Sequence, residues 1–388
     1  MSFSETTIAS LLLLTFPALS FLYSAAVWFT YSFYHECHWG DKVPAMMLRL
    51  TVLVGGVACD ISVRYAAQDQ GWETLIPMAV VLSIVSLYQI RETRLVDVVG
   101  IEPPVYGKDH MTGKIVVITG SNTGIGKETA LMIAEMGATV VMACRSEARA
   151  TKAMKDLRQA SKRKLNLEFC QLDLGDLSSI RKAATSLKGR TIHVLIQNAG
   201  VMMGGRTTAS NGKELMMQAN HLGHFLFAKL LLPQMPRDGR IINLTSSTYQ
   251  IAKDGFDFED MFCEKKSYSM FPQYAQTKLA NILHIKELAT KMSQPFLVYA
   301  VHPGIVRTDV TRQFPWYLKY PNMAFALFVA AIQKTPKEGA YSSVVCAVSP
   351  NPPPTGAYVV NGSAHRTLLC AESKEVSCMH SYASIFRF

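Results

Sequence analysis

From residue 114 the chain runs Lys114-Ile115-Val116-Val117-Ile118-Thr119-Gly120-Ser121-Asn122-Thr123-Gly124-Ile125-Gly126. The β-branched residues at its start predict a strand, and residues 127–136 predict a helix. A glycine turn between a strand and a helix lets the backbone approach a pyrophosphate, and the helix N-terminus supplies N–H donors and partial positive charge. Residues 120–126 are therefore our candidate for binding a dinucleotide, although the glycines alone also fit an ordinary strand-to-helix turn.

Apolar strands alternate with amphipathic segments along the rest of the chain. The predicted strands are Ile115–Thr119, Thr139–Cys144, Leu167–Gln171, His193–Gln197, Arg240–Thr245, Phe296–Val301 and Tyr358–Val360. Helices in the intervals would give an α/β fold with a doubly wound parallel sheet of the Rossmann type. We place a Gly- and Pro-containing linker at 98–110, the catalytic domain at 111–360 and a C-terminal tail at 361–388.

The first 97 residues predict an N-terminal transmembrane helical region. Hydrophobic residues make up 49% of the 388 positions. No charged residue occurs from Thr6 to Tyr34, and these 29 residues are long enough to cross a bilayer. Thr74 to Ile90 is a second uncharged segment, of 17 residues, whereas two charges interrupt Val43 to Ile61. One to three spans remain open, because some of these segments could instead pack as apolar helices against the membrane or the enzyme.

Charge is distributed unevenly along the chain. Residues 1–110 carry 6 Lys and Arg against 10 Asp and Glu, and the remainder carries 33 against 19. The basic part could lie near anionic lipid headgroups, and no nucleic-acid-binding motif occurs. Arg91 and Arg94 follow the last apolar segment, so the positive-inside rule places the catalytic domain in the cytosol. The eight cysteines show no pairing or zinc-ligand pattern, and we assign no metal.

A second motif, Tyr274-Ala275-Gln276-Thr277-Lys278, carries proton chemistry. A spacing of four places Tyr274 and Lys278 on one helix face. The ammonium there should lower the pKa of the phenol and favour phenolate as a general base. Tyr and Lys also share solvated helix faces by chance, so the motif indicates proton transfer only in combination with the glycine turn upstream. The two motifs together predict a nicotinamide-dependent oxidoreductase.

The order of these motifs resembles the short-chain dehydrogenase/reductase family, in the branch with the retinol dehydrogenases, the polyprenol dehydrogenase and the WW-domain oxidoreductase. The resemblance extends from about Met111 to Val348. It also rests on Lys127-Glu128-Thr129-Ala130, Ala143-Cys144-Arg145, Leu172-Asp173-Leu174, Asn198-Ala199-Gly200, Asn220-His221-Leu222-Gly223-His224-Phe225 and Val301-His302-Pro303-Gly304. It implies an enzyme of the endoplasmic reticulum membrane, and the positive-inside rule orients its catalytic domain towards the cytosol.

The resemblance also implies catalytic roles. Tyr274 would exchange the proton, and Ser246 would bond the substrate oxygen, with Ser247 as its rival. Lys278 would also bond the nicotinamide ribose, and Asn220 would hold a water that relays protons, although an amide here could equally stabilise a helix kink. The further cofactor contacts that the resemblance implies are Asp173 and Leu174 near the adenine, Asn198, Ala199 and Gly200 beside the cofactor, and Pro303, Gly304 and Thr308 at the nicotinamide.

Arg145 follows the second strand, where an acidic residue would accept bonds from the adenosine ribose and repel a 2′-phosphate. An arginine can pair with that phosphate, so NADP(H) is favoured over NAD(H). The alternative is a surface arginine without a ligand.

Two regions rich in aromatic residues, Thr248–Phe271 and Phe314–Ile332, border the substrate entrance in the resembling family. They favour a hydrophobic alcohol or carbonyl compound drawn from the bilayer, although aromatic residues also close cores and dimer interfaces. Retinol or retinal is the leading substrate, and polyprenal or a steroid or lipid ketone is the alternative. A catalytically silent membrane regulator that senses NADP(H) is the alternative of another class. The predicted helices 212–235 and 272–292 could form a homodimer interface.

Overall fold

The computed structural model describes residues 106–291, 296–304, 306, 334–367 and 371. The predicted membrane segments, Thr308 and the aromatic region 314–332 lie outside these residues. Within the described part of the chain, no helix combines the length and the apolar character needed to cross a bilayer.

The centre of the structure is an eight-stranded sheet with strand order β3-β2-β1-β4-β5-β6-β7-β8. The strands are β1 (Ile115–Thr119), β2 (Thr139–Cys144), β3 (Asn166–Gln171), β4 (Val194–Gln197), β5 (Arg240–Leu244), β6 (Leu297–His302), β7 (Tyr358–Val360) and β8 (Ser363–His365). Strands β1 to β7 pair in parallel, and β8 pairs antiparallel to β7. The predicted Rossmann-type sheet is confirmed, with strand bounds that differ by one residue at most.

The central strands are buried because helices cover both faces of the sheet, as parallel sheets require. Six helices are described: α1 (Gly124–Glu135), α2 (Glu147–Ala160), α3 (Leu177–Ser186), α4 (215–231), α5 (Met270–Lys291) and α6 (Pro336–Val348). One apolar layer packs α3, α4 and α5 on the sheet, and the other packs α1, α2 and α6. Strand order reverses between β1 and β4, which makes the carboxyl ends of these two strands the expected ligand crevice.

Helix α4 is not the continuous helix that the sequence predicts over 212–235. It consists of Leu215–Met217, a π turn over Gln218–Leu222, and Gly223–Leu231. A π turn inserts an extra residue into the helix and is frequent at functional sites. The interruption falls on Asn220, one of the predicted catalytic residues.

Strand β8 lies within the segment that the sequence assigns to the C-terminal tail. Asn361 and Gly362 form the turn before it, with φ of 52° and 76°. Asn-Gly with two positive φ angles is typical of a two-residue hairpin. The dipeptide was therefore a readable hairpin signal, and the sheet continues beyond Val360.

Candidate active site

The glycine turn lies at the carboxyl end of β1, and its geometry requires glycine at two positions. Gly120 has φ of 65°, and a Cβ there would lie 2.9 Å from the Cα of Ala199. A Cβ on Gly126 would lie 2.7 Å from the carbonyl oxygen of Gly120 and would also collide with the Asn198 amide. The turn therefore has no side chains at these two positions near the start of α1, and a pyrophosphate could approach the N–H groups of the helix N-terminus.

A chain of hydrogen bonds ties this turn to strand β4 and to helix α4. The Asn198 amide donates to the carbonyl oxygens of Thr119 (2.9 Å) and Gly120 (3.2 Å). The Ala199 N–H donates to Thr119 Oγ1 at 2.9 Å, and the Thr119 hydroxyl lies 2.8 Å from His224 Nε2. His224 Nδ1 lies 3.0 Å from the carbonyl oxygen of Asn220. The network fixes the predicted cofactor residues 198–200 relative to the turn.

His224 acts here as a hydrogen-bonding residue. Because a carbonyl oxygen can only accept, Nδ1 carries the proton and Nε2 accepts from the Thr119 hydroxyl. Burial lowers the pKa of His224 to about 3, so the ring is neutral at physiological pH. A neutral ring can satisfy both partners at once, whereas a charged one could not accept from Thr119.

The adenine side of the predicted site is more open. Arg145 is exposed at the end of β2, and its carbonyl oxygen accepts from the Gln171 amide at 2.8 Å. Asp173 is half-buried, and its Oδ1 accepts from the Gly175 N–H at 2.9 Å. The structure thus leaves the Arg145 side chain at the surface, where an anionic group could reach it.

Asn220 is buried in the π turn and holds the loop that follows β4. Its Oδ1 accepts from the Val201 N–H at 2.8 Å, and its Nδ2 donates to the Val201 carbonyl at 2.9 Å. The Asn220 carbonyl accepts from Nδ2 of Asn281 on α5 at 3.2 Å, in addition to His224. These contacts support the kink-stabilising interpretation of Asn220, and the proton-relay role remains a prediction.

Tyr274 and Lys278 lie on the same side of α5, as their spacing predicts. Lys278 is 3% exposed, and its Nζ donates to the carbonyl oxygen of Leu244 at 3.0 Å. The same Nζ lies 5.3 Å from the centre of the Tyr274 ring. A Cβ on Gly200 would lie 3.7 Å from both Lys278 Nζ and Asn220 Oδ1. The predicted cofactor-side glycine and two predicted catalytic residues therefore converge.

The protonation states differ from the expectation drawn from the motif. Burial raises the pKa of the Tyr274 phenol above its ordinary value instead of lowering it. Burial also lowers the pKa of Lys278 to about 8. Desolvation causes both shifts, because a low dielectric penalises the charged form of each group. In the protein alone Tyr274 is therefore a protonated acid, and the expected phenolate is wrong for this state.

The two candidate serines differ in burial. Ser246 is half-buried and its Oγ lies 2.8 Å from Thr248 Oγ1, whereas Ser247 is buried and its N–H donates to His302 Nδ1 at 3.3 Å. This difference favours Ser246 as the serine that a ligand can reach. At the end of β6, Gly304 has φ of 88° and a Cβ on it would lie 2.9 Å from Lys334 Cδ.

The substrate side around Tyr274 is rich in methionine. Tyr274 packs against a cluster whose buried members are Met202, Met216 and Met270. The Tyr268 hydroxyl closes it by donating to the Met203 carbonyl at 2.7 Å. Five side chains of the aromatic region 248–271 are buried in the main core: Tyr249, Ala252, Phe256, Met261 and Phe262. These side chains close the core, which is the competing interpretation of the region, whereas Tyr268 and Met270 pack with Tyr274.

Three residues that contact the candidate site were not singled out from the sequence. Thr119 was quoted only as part of the turn, yet its hydroxyl joins Ala199 to His224. Glu214 and Gln273 are buried and bonded to each other at 2.9 Å beside Tyr274. No local pattern predicts such a contact, and Glu214 caps helix α4 although glutamate is not one of the usual N-cap residues.

Known proteins resemble this chain in sequence. The family model for short chain dehydrogenases matches residues 114–257. Retinol dehydrogenase 12 of Homo sapiens is 39% identical over 244 residues, which cover 62% of this chain and 74% of that protein. Retinol dehydrogenase 11 of Mus musculus is 38% identical with the same coverage. Retinol dehydrogenase 14 of Mus musculus is 37% identical over 266 residues, or 62% and 75% of the two chains.

The fold is also shared with a solved structure. An uncharacterized protein from Mycobacterium paratuberculosis is 27% identical with a TM-score of 0.56, and the match covers 71% of this chain and 93% of that one. Sequence and fold agree, and the chain belongs to the short-chain dehydrogenase family, in the branch of the retinol dehydrogenases.

Proposed function

We propose that this protein is a membrane-bound, NADP(H)-dependent oxidoreductase that transfers a hydride between the nicotinamide and a hydrophobic alcohol or carbonyl compound such as retinol or retinal. The observation that carries the proposal is the convergence of Tyr274, Lys278, Asn220 and Gly200 near the carboxyl edge that holds the glycine turn. The exposed Arg145 supports NADP(H) as the cofactor, because its guanidinium can pair with a 2′-phosphate.

Reduction of a carbonyl is the direction expected in cells if the cofactor is NADPH, and the raised pKa of Tyr274 keeps the phenol in the protonated form that this direction needs as its acid. When bound, the reduced nicotinamide supplies the hydride. The Tyr274 hydroxyl donates the proton to the carbonyl oxygen, and Ser246 Oγ donates a hydrogen bond to the same oxygen. Lys278 is charged below pH 8 and stabilises the negative charge that remains on Tyr274.

A hydrophobic substrate is supported by the methionine cluster beside Tyr274. Methionine is unbranched and polarizable, so it packs against apolar chains of irregular shape. The apolar N-terminal segments of the sequence support access to such a substrate from a bilayer of the endoplasmic reticulum. Polyprenal and steroid or lipid ketones fit the same apolar surroundings.

The test is substrate-dependent oxidation of NADPH by the full chain purified with lipids. Retinal, a polyprenal and a steroid ketone are offered separately with NADPH and with NADH. We expect turnover with NADPH, and the Tyr274→Phe variant should lose about 1,000-fold or more in kcat while it still binds NADPH. Absence of turnover with every substrate would refute the activity. A Tyr274→Phe variant that keeps the cellular effect of the wild type would instead identify a silent NADP(H)-sensing regulator.

A further inference from the structure

Glu214 is a carboxylate without any solvent exposure, placed directly before helix α4. Its Oε1 accepts from the Met216 N–H at 2.8 Å, and its Oε2 accepts from the Met217 N–H at 2.8 Å. Oε2 also accepts from Gln273 Nε2 at 2.9 Å. The first two bonds cap the helix, and the third reaches to another helix.

Gln273 is 3% exposed in the first turn of α5 and is the residue before Tyr274. Its Nε2 donates to the Met261 carbonyl at 2.8 Å as well as to Glu214. Its Oε1 accepts from the Cys263 thiol at 3.1 Å. Gln273 therefore joins three separate parts of the substrate side: the start of α4, the loop at 261–263 and the start of α5.

Glu214 and Gln273 lie next to residues that surround the predicted proton donor, Tyr274. Met216, whose N–H is fixed by Glu214, packs in the cluster that contacts Tyr274. The same helix carries Asn220 one turn further on. A change in the Glu214–Gln273 contact would therefore shift the Tyr274 ring relative to both α4 and the methionine cluster.

We propose that Glu214 and Gln273 form a buried clamp that sets the position of Tyr274, and that both are positioning residues for proton transfer. The proposal rests on the proposed function. A hydrogen bond to a carboxylate is about twice as strong as a neutral one, and it is screened little in a buried site. Such a bond holds the two helix starts together more firmly than apolar packing, which tolerates sliding.

The test replaces Gln273 by methionine, which keeps the volume and removes all three side-chain contacts. We expect kcat for the carbonyl substrate to fall about ten- to hundredfold, since misplacement by about 1 Å costs about that much. The KM for NADPH should stay within about twofold. The isotope effect with NADPH deuterated at the transferred position should increase, because the chemical step becomes slower.

Gln276→Met is the matched control. Gln276 lies on the same helix and makes two loop bonds, to the Asp257 N–H and the Gly255 carbonyl, each at 3.0 Å. It has no bond to α4 among the described residues. A purely structural role of the two glutamines would lower the thermal unfolding temperature of the variants and leave both kcat values and isotope effects unchanged. That result would refute the clamp.

A double-mutant cycle gives a second, independent test. Glu214→Gln and Gln273→Met each break the bond between the two side chains. If that bond acts on kcat, the loss in the double variant should be smaller than the product of the two single losses by about tenfold. Single losses that multiply in full would overturn the proposal. Wild-type protein without turnover would refute the function itself, whereas active wild type with unaffected variants would refute only the clamp.

Discussion

The cofactor side and the substrate side of this molecule are built in different ways. On the cofactor side, the strand β1, the glycine turn and helix α1 follow one another in a short contiguous segment, and the backbone itself forms the surface. On the substrate side, Tyr274 is surrounded by methionines from three separate segments and is held through Glu214 and Gln273. The first side depends on the absence of side chains, and the second depends on their exact partners.

The difference predicts where each kind of substitution acts. An added Cβ on the glycine turn prevents the pyrophosphate from approaching the backbone. Changes on the cofactor side should therefore weaken NADPH binding and leave proton transfer by Tyr274 intact. Changes around Tyr274 should do the opposite, because they move a reacting group without touching the turn. The first three of the following substitutions probe this division, and the last tests the edge of the sheet outside it.

The largest effect is expected for Gly126→Ala. Its Cβ would lie 2.7 Å from the Gly120 carbonyl, a backbone atom that cannot move cheaply. The added Cβ forces the turn to shift away from the geometry that binds the pyrophosphate, and a loss of about 2 kcal/mol in binding would raise the Kd for NADPH about thirtyfold. Fluorescence titration with NADPH measures it, and Gly205→Ala is the control, since a Cβ there meets no atom within 4 Å. Equal affinities for the two variants would contradict the bare-backbone interpretation of the turn.

The next effect concerns Lys278, which lies between Gly200 of the cofactor side and Tyr274 of the substrate side. Its pKa is lowered to about 8, so its charge is present below pH 8 and is lost as the pH rises through that value. The kcat/KM for NADPH in the reductive direction reports groups of the free enzyme, and it should fall about tenfold from pH 7 to pH 9. In Lys278→Arg the guanidinium stays charged, so the decrease in kcat/KM between pH 7 and pH 9 should disappear even though the absolute rate is lower. If kcat/KM of the Arg variant still falls near pH 8, another group causes the decrease.

A smaller effect is expected for Arg145→Ala on the open adenine side. An exposed guanidinium contributes about 1 kcal/mol to an ionic contact, so the preference for NADPH over NADH should fall about fivefold. The ratio of kcat/KM values for the two cofactors measures this preference. Arg190→Ala, which removes a surface ion pair with Glu168 on β3, should leave the ratio unchanged. If both variants keep the wild-type ratio, Arg145 does not select the cofactor.

The same division explains what the sequence could predict. Strand periodicity and glycine spacing are local signals, so β1, β2 and β7 were predicted with the bounds that the structure has. The Tyr274–Lys278 spacing predicted their shared helix face, but the direction of the Tyr274 pKa shift depends on burial, which no spacing encodes. The contact of Glu214 with Gln273 joins residues 59 positions apart, and only the folded chain reveals it.

The smallest effect tests the edge of the sheet, away from both sides of the site. Gly362 has φ of 76°, and a Cβ there would meet only Val345 side-chain atoms at 3.6 Å or more, so Ala at this position is strained by its backbone alone. The strain is about 1 kcal/mol, and the free energy of unfolding in urea should fall by about that amount. Gly107→Ala is the control, because that glycine lacks a positive φ and has open space around it. Loss of stability in Gly362→Ala with unchanged kcat would show that the β7–β8 hairpin belongs to the cooperative fold, whereas equal stability of both variants would mean that β8 pairs too weakly to contribute.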